Sequence, residues 1–153
     1  MIRKAIESDA KGIHGIHTRA VREACVGFYT EIQIDGWLKN RTPEGYLEGI
    51  KNGEMYVEEI EGKIRGFGHA VPGEIVAIFV DPEFHKKGLG KSLLQHGLEM
   101  AKKENAPAIK VEASLNAVSF YKKYGFIEIG EKMIERNGQK LPIMLMEYST
   151  AMR

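Results

Sequence analysis

Cysteine is almost missing. Cys25 stands alone in 153 residues, so no intramolecular disulfide can staple the chain, and a reducing cytoplasm is the compartment that fits. No apolar run approaches the ~20 residues of a membrane span, and MIRKAIESDA lacks the apolar core of a secretory signal; a soluble chain with no membrane partner is expected. Nor is charge of one sign in excess. Twenty-two Lys and Arg against 21 Asp and Glu leave a net charge of +1, which excludes a global basic field for holding nucleic acid. Charge recognition has to be local. Repeats, low-complexity tracts and linkers are absent as well, so residues 1–153 read as one domain, long enough to bury about 70% of its unfolded-chain surface. His14 and His17 share a helical face, but no Cys or carboxylate accompanies them at ligand spacing, and no metal is expected.

What is present alternates between strand and helix signals. IRKAI has the period of a short strand, after which Ser8 or Asp9 offers an N-cap for a helix through Ile13, Ile16, Ala20 and Val21. Thr30 with Gln33 makes a capping-box pattern ahead of Ile34, Trp37 and Leu38, and Thr42-Pro43 opens another helix that Asn52-Gly53 stops. EMYVEEI, KIRGFGHAV and EIVAIFV then form an antiparallel meander, with hairpin turns at Glu61-Gly62 and Pro72-Gly73. Leu93, Leu94, Leu98 and Met100 recur at helical spacing over 89–103 and cover the sheet. IKVEAS is the next strand, NAVSFYKKY a short helix, and FIEIGEKMIE with PIMLMEYS a closing hairpin across Asn137-Gly138. The fold class is therefore α/β, with a mixed, mostly antiparallel sheet flanked by helices.

The chemistry is concentrated in HKKGLGKSLL. GLGKS has the letters of a Walker A ending, but His85 stands where that loop needs its first glycine, and no Mg²⁺-carboxylate strand accompanies it. A dinucleotide fingerprint would want a third glycine where Leu93 stands, inside a βαβ unit that the meander does not supply. What survives is a basic loop after Val80-Asp81-Pro82, in which Gly88 and Gly90 open a helix whose free N–H groups point at an anion. Glycine lets the backbone approach a phosphate closely, and His85, Lys86, Lys87 and Lys91 add positive charge around Leu89. A pyrophosphate suits this loop. A tight turn flanked by solvated lysines is the plainer alternative.

From Glu74 to Phe126 the order strand, HKKGLG, long helix, strand, NAVSFYKKYGF resembles the acetyl-CoA core of the GNAT N-acetyltransferase superfamily. The family's loop runs Gln or Arg, two residues, Gly, one residue, Gly or Ala; His85, Gly88 and Gly90 fill it, with His85 departing at the first position. The resemblance implies a bulged strand that splays from its neighbour, so that the pantetheine arm of acetyl-CoA pairs with the backbone of Ile78, Phe79 and Val80. A backbone N–H near Val80 would polarise the thioester carbonyl. The resemblance also places Tyr121 where the family has the tyrosine that protonates the departing thiolate, a transfer from a phenol of pKa near 10 to a thiol near 8.5. Tyr124 is expected to pack. Ser114 and Ala117 occupy the places of the family's Asn and Ala; Ser114 or Asn116 would contact the cofactor, unless Asn116 caps the helix carrying Tyr121.

For the base, Glu74 lies on the strand where the histone-acetylating branch places its catalytic glutamate, and His69 on the facing strand is the alternative. Direct transfer needs no acyl-cysteine, so Cys25 is expected to pack. The implied activity is transfer of acetyl from acetyl-CoA to a primary amine of a small molecule or protein; a non-catalytic acyl-CoA-binding module is the alternative. A homodimer stays open. ACVGFYTEIQIDGW crowds aromatic residues at a helix break in the segment the family varies between substrates. Tyr29 and Trp37, with Cys25 and Phe28, are thus candidates to line an acceptor pocket near His69, although Trp37 also has the spacing of a core residue beside Ile34 and Leu38.

Overall fold

The computed structural model describes residues 1–84 and 88–150. The chain runs β1 (Ile2–Lys4), α1 (Ala10–Ala24), α2 (Glu31–Leu38), α3 (Leu47–Lys51), β2 (Met55–Ile60), β3 (Lys63–Val71), β4 (Glu74–Val80), α4 (Leu89–Ala101), β5 (Ala108–Ser114), α5 (Val118–Lys123), β6 (Ile127–Arg136) and β7 (Gln139–Ser149). These strands form one sheet in the order β1-β2-β3-β4-β5-β7-β6, antiparallel throughout except between β4 and β5. The mixed, mostly antiparallel sheet read from the sequence is the one observed.

Local signals account for most of these elements. Thr30 and Gln33 form a reciprocal capping box: the Gln33 N–H donates to Thr30 Oγ1 at 3.1 Å and the Thr30 N–H to Gln33 Oε1 at 2.9 Å. The turns at Glu61-Gly62 and Asn137-Gly138 both place two consecutive residues at positive φ, as a two-residue hairpin turn of matching twist requires. Asp9 does sit at the N-cap of α1, but its carboxylate makes no cap bond. It accepts the Ile6 N–H and two bonds from the Arg3 guanidinium, because β1 runs past the same helix end. Thr42-Pro43 starts a 3-10 turn over Pro43–Tyr46 that leads into α3.

Two faces of the sheet are covered. On one, Leu93, Leu94 and Leu98 of α4 pack with Ile75, Ile109, Val111, Tyr121, Phe126 and Met146. On the other, Ile13 and Ile16 of α1 meet Tyr46, Ile50, Val57 and Phe67. A third cluster gathers Val21, Cys25, Tyr29, Ile34 and Leu38 against Leu141 of β7.

The feature that positions the site is an interruption in this sheet. β4 and β5 share only the pairs Glu74–Lys110 and Ile75–Val111. Beyond Ile75 they part. On the β3 side the register slips by one between His69–Ala77 and Ala70–Ile75, leaving Val76 as the extra, bulged residue. A bulge bends its strand, and here it turns the rest of β4 away from β5, so the sheet opens toward its centre. The bulge and the splayed pair expected from the family resemblance are both observed.

Candidate active site

The opening exposes backbone hydrogen-bonding groups. The Asp81 N–H donates to the Arg65 carbonyl at 2.8 Å, and in an antiparallel ladder bonding to a given neighbour alternates along the strand. With Phe67 opposite Phe79 and Gly68 opposite Ile78, the Phe79 backbone bonds toward β3, whereas Ile78 and Val80 aim N–H and C=O into the gap toward β5. These groups have no strand partner, so a ligand entering the gap would satisfy them. Of Ile78, Phe79 and Val80, two are thus backbone candidates, and Phe79 contributes its ring.

Two cavities meet at this opening. One, of ≈ 350 Å³, runs along Ile78, Phe79 and Val80 to Gly88, Leu89, Gly90 and Lys91 at the start of α4, with Asn116 and Tyr124 on its far wall. The other, of ≈ 330 Å³, is lined by Trp37, His69, Glu74 and Tyr121 among others. Ile78, Phe79, Ser114 and Ala117 line both, so the two cavities adjoin at these residues.

The first cavity suits a phosphate-bearing cofactor. Gly88 holds the left-handed conformation, φ +78, as the N-cap of α4, and a Cβ there would project into open space. No side chain caps the first N–H groups of α4, and Lys91 supplies a cation beside them. His85, Lys86 and Lys87 lie outside the described residues. Asn116 does not cap α5, whose N-cap is Ala117; its Oδ1 accepts from Cys25 Sγ at 3.3 Å. Ser114 makes no side-chain cap bond and lies at the junction of the cavities. Tyr124, expected to pack, lines the cofactor-side cavity while resting edge-on against Phe120.

Tyr121 is 4% exposed, and its ring is fixed between Phe120 and Phe126 at centroid distances of 5.2 and 5.3 Å. Its hydroxyl makes no hydrogen bond among the described residues, and burial drives its pKa above the ordinary phenol value. The group therefore keeps its proton across the physiological range and has no protein acceptor to give it to. Glu74, at the head of β4, makes no ion pair among the described residues. His69 is more than a lone strand histidine: its Nε2 lies 2.9 Å from Glu54 Oε1. Sequence reasoning missed Glu54, which is the residue before β2 and reaches His69 only because Met55 pairs with His69 across the ladder.

The acceptor-side candidates divide. Trp37 lines the cavity. Tyr29 lines neither cavity; it stands behind Trp37, ring centroids 5.4 Å apart, donating its hydroxyl to the Pro142 carbonyl at 2.6 Å and accepting the Leu115 N–H at 3.1 Å. Phe28 is exposed and lines neither cavity. Cys25 is buried, its thiol pushed up to about 11 by burial, which suits packing and disfavours a thiolate nucleophile. His17 was unassigned from sequence. It lines the acceptor-side cavity, 4.4 Å from the Phe79 ring and 2.8 Å from the Tyr46 hydroxyl, and burial, with Arg41 and His14 nearby, pushes it down to about 3, so it stays neutral.

Among the described residues no group of three or more His, Cys, Asp or Glu could hold a metal ion, and no helix is long and apolar enough to cross a membrane.

Residues 25–148 match the family model described as "Acetyltransferase (GNAT) domain". The chain belongs to that family and is an acetyl-CoA-dependent acyltransferase. It is 26% identical over 147 residues to the uncharacterized N-acetyltransferase YafP of Escherichia coli (strain K12), covering 96% of this chain and 94% of that protein. Its fold is similar to the crystal structure of a GCN5-related N-acetyltransferase from Rhodopseudomonas palustris, with a TM-score of 0.90, 22% identity, and 97% and 94% of the two chains covered. The PaiA N-acetyltransferase of Thermoplasma acidophilum, solved in complex with coenzyme A, superposes with a TM-score of 0.74 and 23% identity over 97% of this chain and 98% of that one.

Proposed function

We propose that this protein transfers the acetyl group of acetyl-CoA directly to a primary amine, with the cofactor in the cavity at the start of α4 and the amine in the cavity beside Trp37. The observation that carries this is the parting of β4 from β5, where the two cavities share Ile78, Phe79, Ser114 and Ala117. Acetyl-CoA supplies the activated acetyl group as a thioester. The N-terminal turn of α4, Lys91 and the unpaired backbone of Ile78 and Val80 bind and orient it, and the Val80 N–H faces the developing oxyanion. Holding both reactants in adjoining cavities removes much of the entropic cost of their encounter.

The proton balance needs one base and one acid. Glu74 accepts a proton from the acceptor's ammonium; the neutral nitrogen then forms the C–N bond as the C–S bond breaks, the Tyr121 hydroxyl donates its proton to the leaving sulfur, and the proton shed by the acylated nitrogen restores the Tyr121 hydroxyl, leaving amide, free thiol and protonated Glu74. Burial raises Tyr121 above the ordinary phenol value, and the same apolar wall raises a thiolate's basicity, so the two shifts oppose each other in the transfer. Glu74→Gln is expected to flatten the rising limb of the kcat/KM pH profile, while His69→Gln leaves that limb in place. If His69→Gln removes it and Glu74→Gln does not, the base is His69 held by Glu54.

The proposal as a whole is tested by incubating purified protein with acetyl-CoA and a panel of primary amines under mass spectrometry. The expected result is a one-acetyl mass gain on an amine with equivalent free thiol. Tight CoA binding without acetylation of any amine would instead make this an acyl-CoA-binding module.

A further inference from the structure

The acceptor-side cavity carries charge that the acetyl transfer described above does not use. Arg41 and Arg136 both line it, and neither has a carboxylate partner among the described residues. They are brought to one side by a clasp between the β6–β7 turn and the end of α2. Asn137 donates through Nδ2 to the Gly36 and Lys39 carbonyls at 2.7 and 2.8 Å, and its Oδ1 accepts from Asn40 Nδ2 at 3.2 Å. Arg41 is further held by Nε donating to the Trp37 carbonyl at 3.2 Å, and its Nη1 lies 3.5 Å from His17 Nδ1. His17, which stays neutral, adds no second positive charge beside the Arg41 guanidinium.

The opposite charge is distributed differently. Glu112 also lines the cavity, but Lys132 Nζ lies 2.7 Å from its Oε2. Glu54 stands behind His69. That leaves one unpaired carboxylate, Glu74 at the head of β4, and two unpaired guanidiniums contributed by the α2–α3 connection and the end of β6. A polycationic acceptor would have to bring its second ammonium toward those arginines, at a repulsive cost. An acceptor with an ammonium at one end and an anion at the other complements both.

Building on the acetyl-transfer reading, we infer that the acceptor is a compact anionic amine, with its carboxylate, or a phosphate in the same role, bound by Arg41 and Arg136 while its amine faces Glu74. Guanidinium is the side chain whose paired N–H donors match either anion.

The test compares ligands on the wild-type enzyme first, so it does not depend on a variant folding. Free thiol release from acetyl-CoA is followed with the proteinogenic L-amino acids, their primary carboxamides, phosphoethanolamine, ethanolamine as its counterpart without the phosphate, and spermidine. The expected result is a kcat/KM for the best amino acid, or for phosphoethanolamine, about tenfold or more above that of its uncharged counterpart and of spermidine. Which of the two anions turns over faster assigns the carboxylate or the phosphate. Arg136→Gln, at an exposed position, and Arg41→Gln should each collapse the acid-to-amide ratio toward one, with Arg41→Lys recovering part of it. Turnover that favours carboxamides or spermidine, or an unchanged ratio in both glutamine variants, overturns the anionic-acceptor assignment alone. No thiol release with any amine while acetyl-CoA still binds by calorimetry overturns the acetyl-transfer reading, and this inference falls with it.

Discussion

Replacing Gly88 with glutamate is expected to weaken acetyl-CoA binding by at least about 10³-fold, beyond calorimetric detection for a complex of micromolar class. Three effects act in the same direction. Gly88 occupies φ +78, where an L-residue costs about 1–2 kcal/mol. Gly88 lines the cofactor-side cavity and nothing lies within 4 Å of where its Cβ would stand, so a glutamate side chain has room beside the cofactor's place. A carboxylate at the N-terminus of α4 also offers those free N–H groups an anion of the protein's own, in competition with a phosphate. Gly88→Ala separates the contributions, because it retains the backbone strain without the charge, and should lose far less affinity. Thermal denaturation of both variants establishes that the fold persists. Wild-type affinity in Gly88→Glu would remove the pyrophosphate from this helix end.

The second large effect is on turnover. Tyr121→Phe should lower kcat by about 10²-fold or more, the scale of a lost general acid, with little change in acetyl-CoA affinity. The substitution deletes one oxygen and keeps the ring between Phe120 and Phe126. Since the hydroxyl has no hydrogen-bond partner among the described residues, its removal strands no protein group. A purely structural tyrosine would therefore tolerate phenylalanine. Single-turnover measurement with saturating acceptor isolates the chemical step, and a rate equal to wild type would hand the proton to water or another group.

How far these sites were legible in the sequence follows from the range of the interactions that build them. The hairpin turns at Glu61-Gly62 and Asn137-Gly138, the Thr30–Gln33 box and the apolar face of α4 depend on residues a few positions apart, and each forms as its local pattern requires. The site depends on longer separations. Nothing around Val76 announces a bulge; it arises because β4 must satisfy β3 on one edge while leaving β5 after Ile75 on the other. Knowledge of a family was needed to expect it. Polar side chains with two competing partners were the least readable: Asp9 turns from the end of α1 to Arg3, and Asn116 leaves α5 uncapped to accept from Cys25. Arg41 and Arg136 are far apart in sequence and meet one cavity only through the Asn137 clasp. Tyr29 was drawn to the site by its aromatic neighbourhood, but its hydroxyl ties β7 to the end of β5 and its ring supports Trp37 from behind.

Acetyl-CoA is expected to enter between β4 and β5 and to pair with strand backbone there. Amide-resolved hydrogen exchange in the presence and absence of saturating acetyl-CoA measures this directly. The Ile78 and Val80 amides, which face the gap, should slow by about tenfold or more, together with those of the first turn of α4, whereas the Phe79 amide, already bonded to β3, should change least. Equal protection of all three, or protection confined to surfaces away from the β4–β5 opening, would contradict it.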